Sequence, residues 1–152
     1  ILRQQPVASD LRQVSTALKV VTDLERIGDH ASDIAELILR IKSEHAYHIV
    51  KHLPVMAASA NAMVHDAIEA FINQDLDSAM EIIERDDEVD TLFNQVKDDV
   101  IHLLKSSPDQ ADQGIDLLMV AKYLERIGDH AVNVCEWTQF SKTGALKNVR
   151  IM

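Results

Sequence analysis

Apolar residues along this chain recur at helical spacing. Leu11, Val14, Leu18 and Val21 form one line, Ala79, Ile82, Phe93, Val100 and Leu104 a second, and Leu118, Ala121 and Val132 a third. Three prolines punctuate the pattern. Pro6 stands just inside the start of a first helix, expected from about residue 6 to 43, and Pro54 opens a second that ends near 73. The polar segment 73–77 is a turn, with Asp75 as the N-cap of a third helix that runs to about 105. Ser107 and Pro108 start a fourth helix, as N-cap and first helical residue, which ends near 140.

The first and fourth helices are repeats of one another. Residues 24–31 and 124–131 both read LERIGDHA, an offset of 100 positions, and Leu18/Leu118, Val20/Val120, Ile34/Val134 and Glu36/Glu136 extend the match. If the repeating unit is a three-helix bundle, residues 54–141 make a complete one. Residues 6–43 are then the last helix of an incomplete one. The expected architecture is therefore all-α: residues 1–45 from the incomplete bundle, 54–141 as the complete bundle, and 142–152 as a tail.

Carboxylates fall on the apolar lines. With Leu118 as the zero of a helical wheel, Glu125 and Asp129 lie about 20° to either side. Glu25 and Asp29 straddle the line through Leu11 and Leu18 in the same way, and Asp86 and Asp90 lie on the third helix's line, again one turn apart. A lone buried carboxylate loses several kcal/mol of hydration, so such groups are protonated, paired with a cation or bound to metal. Arg26 and Arg126 sit one position away and could reach round, and a solvated groove is a further alternative. An i, i+4 acid pair is a pincer for a cation, and two such helices side by side would offer four carboxylates. Gly28 and Gly128 stand inside the acid pairs, where a missing side chain lets a neighbour or an ion come close. His30 and His130 follow each aspartate at the edge of the site. His45, His48, His52, His65 and His102 read as loop or surface residues, and Trp137 and Phe140 as the closure of the bundle end.

Composition narrows the classes. Aromatic residues are 4% of a chain that is 47% hydrophobic, with four glycines, which suits helices rather than a β-sandwich. The formal charge of −10 disfavours nucleic acid. Cys135 is the single cysteine, which excludes an intrachain disulfide and a cysteine-rich zinc finger. No apolar run is long enough to span a bilayer, and no signal peptide is visible. The chain starts at Ile1 rather than methionine, which reads as a fragment.

RQQPVASDLR at 3–12, ERIGDHASDIAE at 25–36, RDDEVD at 85–90 and ERIGDHAVN at 125–133 resemble the PhoU family, over nearly the whole chain. The resemblance implies two three-helix bundles related by duplication, with multinuclear metal sites on E(D)xxxD motifs. It places metal ligands at Asp86, Asp90, Glu125 and Asp129, and at Glu25 and Asp29 of a half-built second site. Asp33 could join the latter, with Asn133 as its weaker counterpart. Iron or zinc is the implied metal, with manganese and magnesium also within reach. The family's first two helices have no match in this chain, so the second site needs another chain to complete it.

The resemblance also implies a regulator rather than an enzyme. It would restrain the phosphate-starvation response between the ATPase of the phosphate ABC transporter and a sensor histidine kinase, cytoplasmic and peripheral to the membrane. Two other readings stay open. A ferritin-like di-metal protein would need Glu-x-x-His pairs, whereas acid and histidine are five apart in these motifs. A structural helical adaptor would salt-bridge its acids. The unpaired first helix, with Leu24, Ile27, Ala31, Ile34, Ala35 and Ile38, predicts either a homodimer or a fold-back of that helix onto residues 54–141.

Overall fold

The computed structural model describes residues 4–144. Six helices follow in order: α1 (Gln4–Arg40), α2 (Glu44–Ile49), α3 (His52–Asn73), α4 (Leu76–Glu84), α5 (Asp86–Ser106) and α6 (Ala111–Thr143), with a 3-10 turn at Pro108–Gln110 before α6. No strand occurs among the described residues. The all-α expectation holds; of the expected tail at 142–152, residues 142 and 143 belong to α6, and 145–152 lie outside the described residues. Asp75 caps α4 as expected, its carboxylate accepting from the Ser78 N–H at 3.1 Å. Gly144, at φ 77°, ends α6 in the left-handed conformation that favours glycine.

Three local features depart from the pattern. Ser43 caps the short helix α2, which is too brief for periodicity to reveal. Ser107 precedes the 3-10 turn without a side-chain cap, so α6 starts three residues later than expected. The expected third helix is two, because the chain bends at Arg85, where the N–H closes on Ile82 three residues back.

Helix α1 folds back onto α6, the second of the two arrangements expected for it. The two run antiparallel: Arg12 Nε donates to the Ser141 carbonyl at 3.2 Å, and at the other end Arg40 meets Asp116 at 3.4 Å. Midway, Asp23 meets His130 and His30 stacks beside Tyr123. These two contacts exchange under the 100-residue offset, so α1 and α6 are related by a pseudo-two-fold axis through their seam. On α1 the seam runs through Thr16, Val20, Asp23, Ile27, His30, Ile34 and Leu37, and on to Ile41 just past its end, alternating steps of four and three. That is the period of antiparallel helices packed side by side.

This face is not the one the apolar line predicts. Leu11, Val14, Leu18 and Val21 are exposed, Leu11 and Leu18 at 66% and 65%. Polar Thr16, Asp23 and His30 interrupt the seam face and make it look like a surface. Helix α1 thus carries two faces of heptad spacing, one covered by α6 and one open. On α6 the equivalents of the open face are covered, Gly114 lying against Leu103, Leu104 and Val100, and Gly128 against Asp86 and Val89 of α5. The remaining core fills the space among α3, α5 and α6 with Met56, Met63, Val96, Leu103 and Leu117.

Gly28 on the open face has nothing within 4 Å of where its Cβ would be. Gly28→Ala is therefore expected to stabilise the chain by up to about 1 kcal/mol, through helix propensity alone. Thermal melting checks it. A lower melting temperature would show that the site needs the missing side chain.

Candidate metal centre

The seam between α5 and α6 holds the most buried of the six expected ligands. Asp86 is the first residue of α5 and 3% exposed. Its position in the first helical turn gives the carboxylate the favourable end of the α5 dipole. Across the seam is Gly128, where an added Cβ would stand 3.7 Å from Asp86 Oδ1. The glycine thus leaves the carboxylate facing backbone rather than side chain. Glu125 and Asp129 flank Gly128 on α6, both half-buried.

Asp90 is exposed, at the rim. The buried register runs from Ala79 and Ile82 in steps of four and three to Asp86 and Val89, and Asp90 falls beside it. The buried register of α5 is Asp86, Val89, Leu92, Val96, Val100 and Leu103, which turns Asp90 outward. Glu125 is also engaged: Lys122 Nζ donates to its Oε1 at 2.7 Å, with the ammonium 5.5 Å over the Phe93 ring. Sequence reading overlooked Lys122, which stands on the same stripe, about 40° from Leu118 and one turn before Glu125.

The other pair, Glu25 and Asp29, lies on the open face of α1 and is exposed. Arg26 approaches Asp29 at 3.9 Å, the reach-round pairing held open from the sequence, with both side chains more than half exposed. Such a surface pair contributes little. The expectation that all six acids enter helix seams is thus corrected: Asp86 is buried, Glu125 and Asp129 are half-buried, and Glu25, Asp29 and Asp90 face solvent.

The donor set suits a cation that prefers oxygen, and the glycine keeps the seam open beside Asp86. The four carboxylates are not drawn together in advance. Among the described residues, the group with three donor atoms within 4.8 Å of one another is instead His65, Asp66 and Glu69 on α3. Its spacing, a histidine followed by acids one and four positions on, was the signal that could have revealed it. The group is largely exposed, and Arg85 already holds Asp66 at 2.6 Å.

The histidines divide differently from expectation. His130 is buried, its Nδ1 2.9 Å from Asp23 Oδ1, and Asn133 Nδ2 donates to the same oxygen at 3.2 Å. His30 lies 5.7 Å from His130, ring to ring. Burial first, then the neighbouring His130 and Arg126, hold the His30 pKa below its ordinary value. His52 is no free surface residue, since Asp99 Oδ2 accepts from both its N–H and its ring Nδ1, at 3.1 and 2.7 Å. Burial pushes the Cys135 thiol up to about 12, so it offers no thiolate ligand. Trp137 and Phe140 meet edge to face at 5.8 Å near the end of α6, both half-buried.

The chain matches the PhoU domain over residues 1–38 and 53–138. It is 43% identical over 145 residues to a phosphate-specific transport system accessory protein PhoU homolog of Clostridium acetobutylicum, covering 95% of this chain and 66% of that protein. A homolog of the same name from Borreliella burgdorferi is 31% identical, covering 98% of this chain and 69% of that one. Crystal structures are similar too. The phosphate transport system regulatory protein PhoU of Streptococcus pneumoniae superposes with a TM-score of 0.80 at 30% identity, over 92% of this chain and 66% of that one. PhoU of Pseudomonas aeruginosa gives 0.81 at 32% identity, over 93% and 68%. The chain spans about two thirds of the length of these relatives. Similarity of this extent, in sequence and in fold, assigns the chain to the PhoU family.

Proposed function

We propose that this chain is a metal-binding accessory and regulator of phosphate uptake that restrains the phosphate-starvation response. In this reading it acts between the ATPase of the phosphate ABC transporter and a sensor histidine kinase, at the cytoplasmic face of the membrane, and catalyses no reaction. No helix among the described residues is long and apolar enough to cross a membrane, so attachment there would run through the partners. The open apolar face of α1 is where a second copy would pack in the proposed homodimer.

The single observation that carries the metal reading is the burial of Asp86 opposite Gly128, with Glu125 and Asp129 flanking that glycine. Asp86, Asp90, Glu125 and Asp129 would hold the ion, iron or zinc before manganese or magnesium. When bound, the ion supplies positive charge that compensates the acids and ties α5 to α6. Glu25 and Asp29, on the open face, would serve a second site only when another surface covers them.

The regulatory reading is tested in phosphate-replete bacteria that lack their own PhoU and carry a phosphate-starvation reporter. Expression of this chain should lower reporter output. Output that stays at the level of the empty vector would contradict the role.

A further inference from the structure

We propose that Lys122 is a built-in competitor for the cation site, an ammonium that holds Glu125 until a metal ion displaces it. The inference rests on the metal reading and adds to it what occupies Glu125 when no ion does. Three observations carry it. Lys122 Nζ lies 2.7 Å from Glu125 Oε1, and Glu125 is the more sheltered partner, at 18% against 45% exposed. The same ammonium stands 5.5 Å over the Phe93 ring of α5, which gives it a second attraction on the far side of the seam. Lys122 therefore bridges α6 to α5 beside the carboxylates, a position where a cation has charge to compensate.

The repeat sharpens the point. Position 22 of α1 corresponds to position 122 and holds Thr22, whose Oγ1 donates to the Leu18 carbonyl at 3.1 Å. Threonine brings no charge, so the position that supplies a cation to Glu125 supplies none to Glu25. The two halves of the duplication thus differ in how their glutamates are held. An ion entering the α5/α6 seam must first draw Glu125 away from Lys122, and the measured affinity is weakened by the strength of that pair. Displacement also frees an ammonium at the seam's rim, so metal occupancy changes the charge presented to a partner.

The test is calorimetric titration of Mn2+ into the chelator-treated chain. Manganese prefers oxygen ligands, and every protein compared, the wild-type reference included, carries His65→Ala and Glu69→Gln so that the exposed His65 group does not contribute. Wild type is compared with Lys122→Met, Lys97→Met and Asp86→Asn. Lys97 is exposed on α5 and controls for the general loss of one positive charge. The proposal predicts that Lys122→Met binds Mn2+ about fivefold tighter than wild type, the factor a partly buried ion pair withholds. Lys97→Met should leave the affinity unchanged. Equal or weaker binding by Lys122→Met, or the same gain in both lysine variants, overturns the role of Lys122. The metal reading then survives if Asp86→Asn still abolishes binding. Absence of binding in wild type and Lys122→Met, or full binding by Asp86→Asn, overturns the metal reading and this proposal with it. If Lys122→Met melts early, Lys122→Gln carries the same comparison.

Discussion

Replacing Asp23 with alanine is expected to destabilise the chain by about 3 kcal/mol. The carboxylate is buried in the α1/α6 seam, where its side chain is 5% exposed and that of His130 is 9% exposed. One oxygen accepts from both His130 Nδ1 and Asn133 Nδ2. Alanine would strand two donors at once in a place water does not reach, and each stranded donor loses about 1–3 kcal/mol. The contact also joins residues more than 100 positions apart, so its loss loosens α1 from the rest of the bundle. For a domain of this size the melting temperature should fall by about 10 °C. Asp23→Asn keeps one acceptor oxygen and should lose less. Thermal unfolding decides the matter, and an alanine variant that melts with wild type would mean that this buried trio does not hold the helices together.

Leu103→Ala should destabilise by a similar amount, about 3 kcal/mol, through the cavity it leaves in a fully buried position. Its partner across the α5/α6 seam is Gly114, where an added Cβ would come within 3.2 Å of Leu103 Cδ2. That contact is tight enough to offset the helix propensity gained by Gly114→Ala, so the single glycine variant should gain little or nothing. In the Leu103→Ala background the obstructing methyl is gone. Gly114→Ala should then recover about 1 kcal/mol, a coupling between the two positions that denaturant titration of the four proteins measures. Strict additivity would contradict the packing described for this seam.

The helices were legible because glycine and proline are scarce and the three prolines stand where helices start. The repeat was legible because LERIGDHA occurs twice. What escaped had physical causes. Thr16, Asp23 and His30 place polar groups on the face of α1 that packs, so the purely apolar line through Leu11 and Leu18 looked like the buried one. A buried polar group whose partners lie on another helix, as those of Asp23 do in His130 and Asn133, cannot be told from a surface residue until that helix is known. The apolar line through Phe93 and Leu104 lies to one side of the buried register through Val89, Leu92, Val96 and Leu103, which leaves Asp90 at the rim and Asp86 inside. Among the site residues, Asp86 was placed correctly by periodicity. Lys122 stands on the same stripe one turn before Glu125, and nothing in the sequence says whether its long side chain turns to that acid or to solvent. The pairing of His52 with Asp99 likewise needed the fold, since nothing local connects residues 47 positions apart.

Elemental analysis of the chain purified without chelator bears most directly on the metal site between α5 and α6. Wild type should retain iron or zinc through dialysis, and a variant combining Asp86→Asn with Glu125→Gln should emerge without it while keeping its helical content. Equal metal in the two proteins, or none in either, would contradict the account.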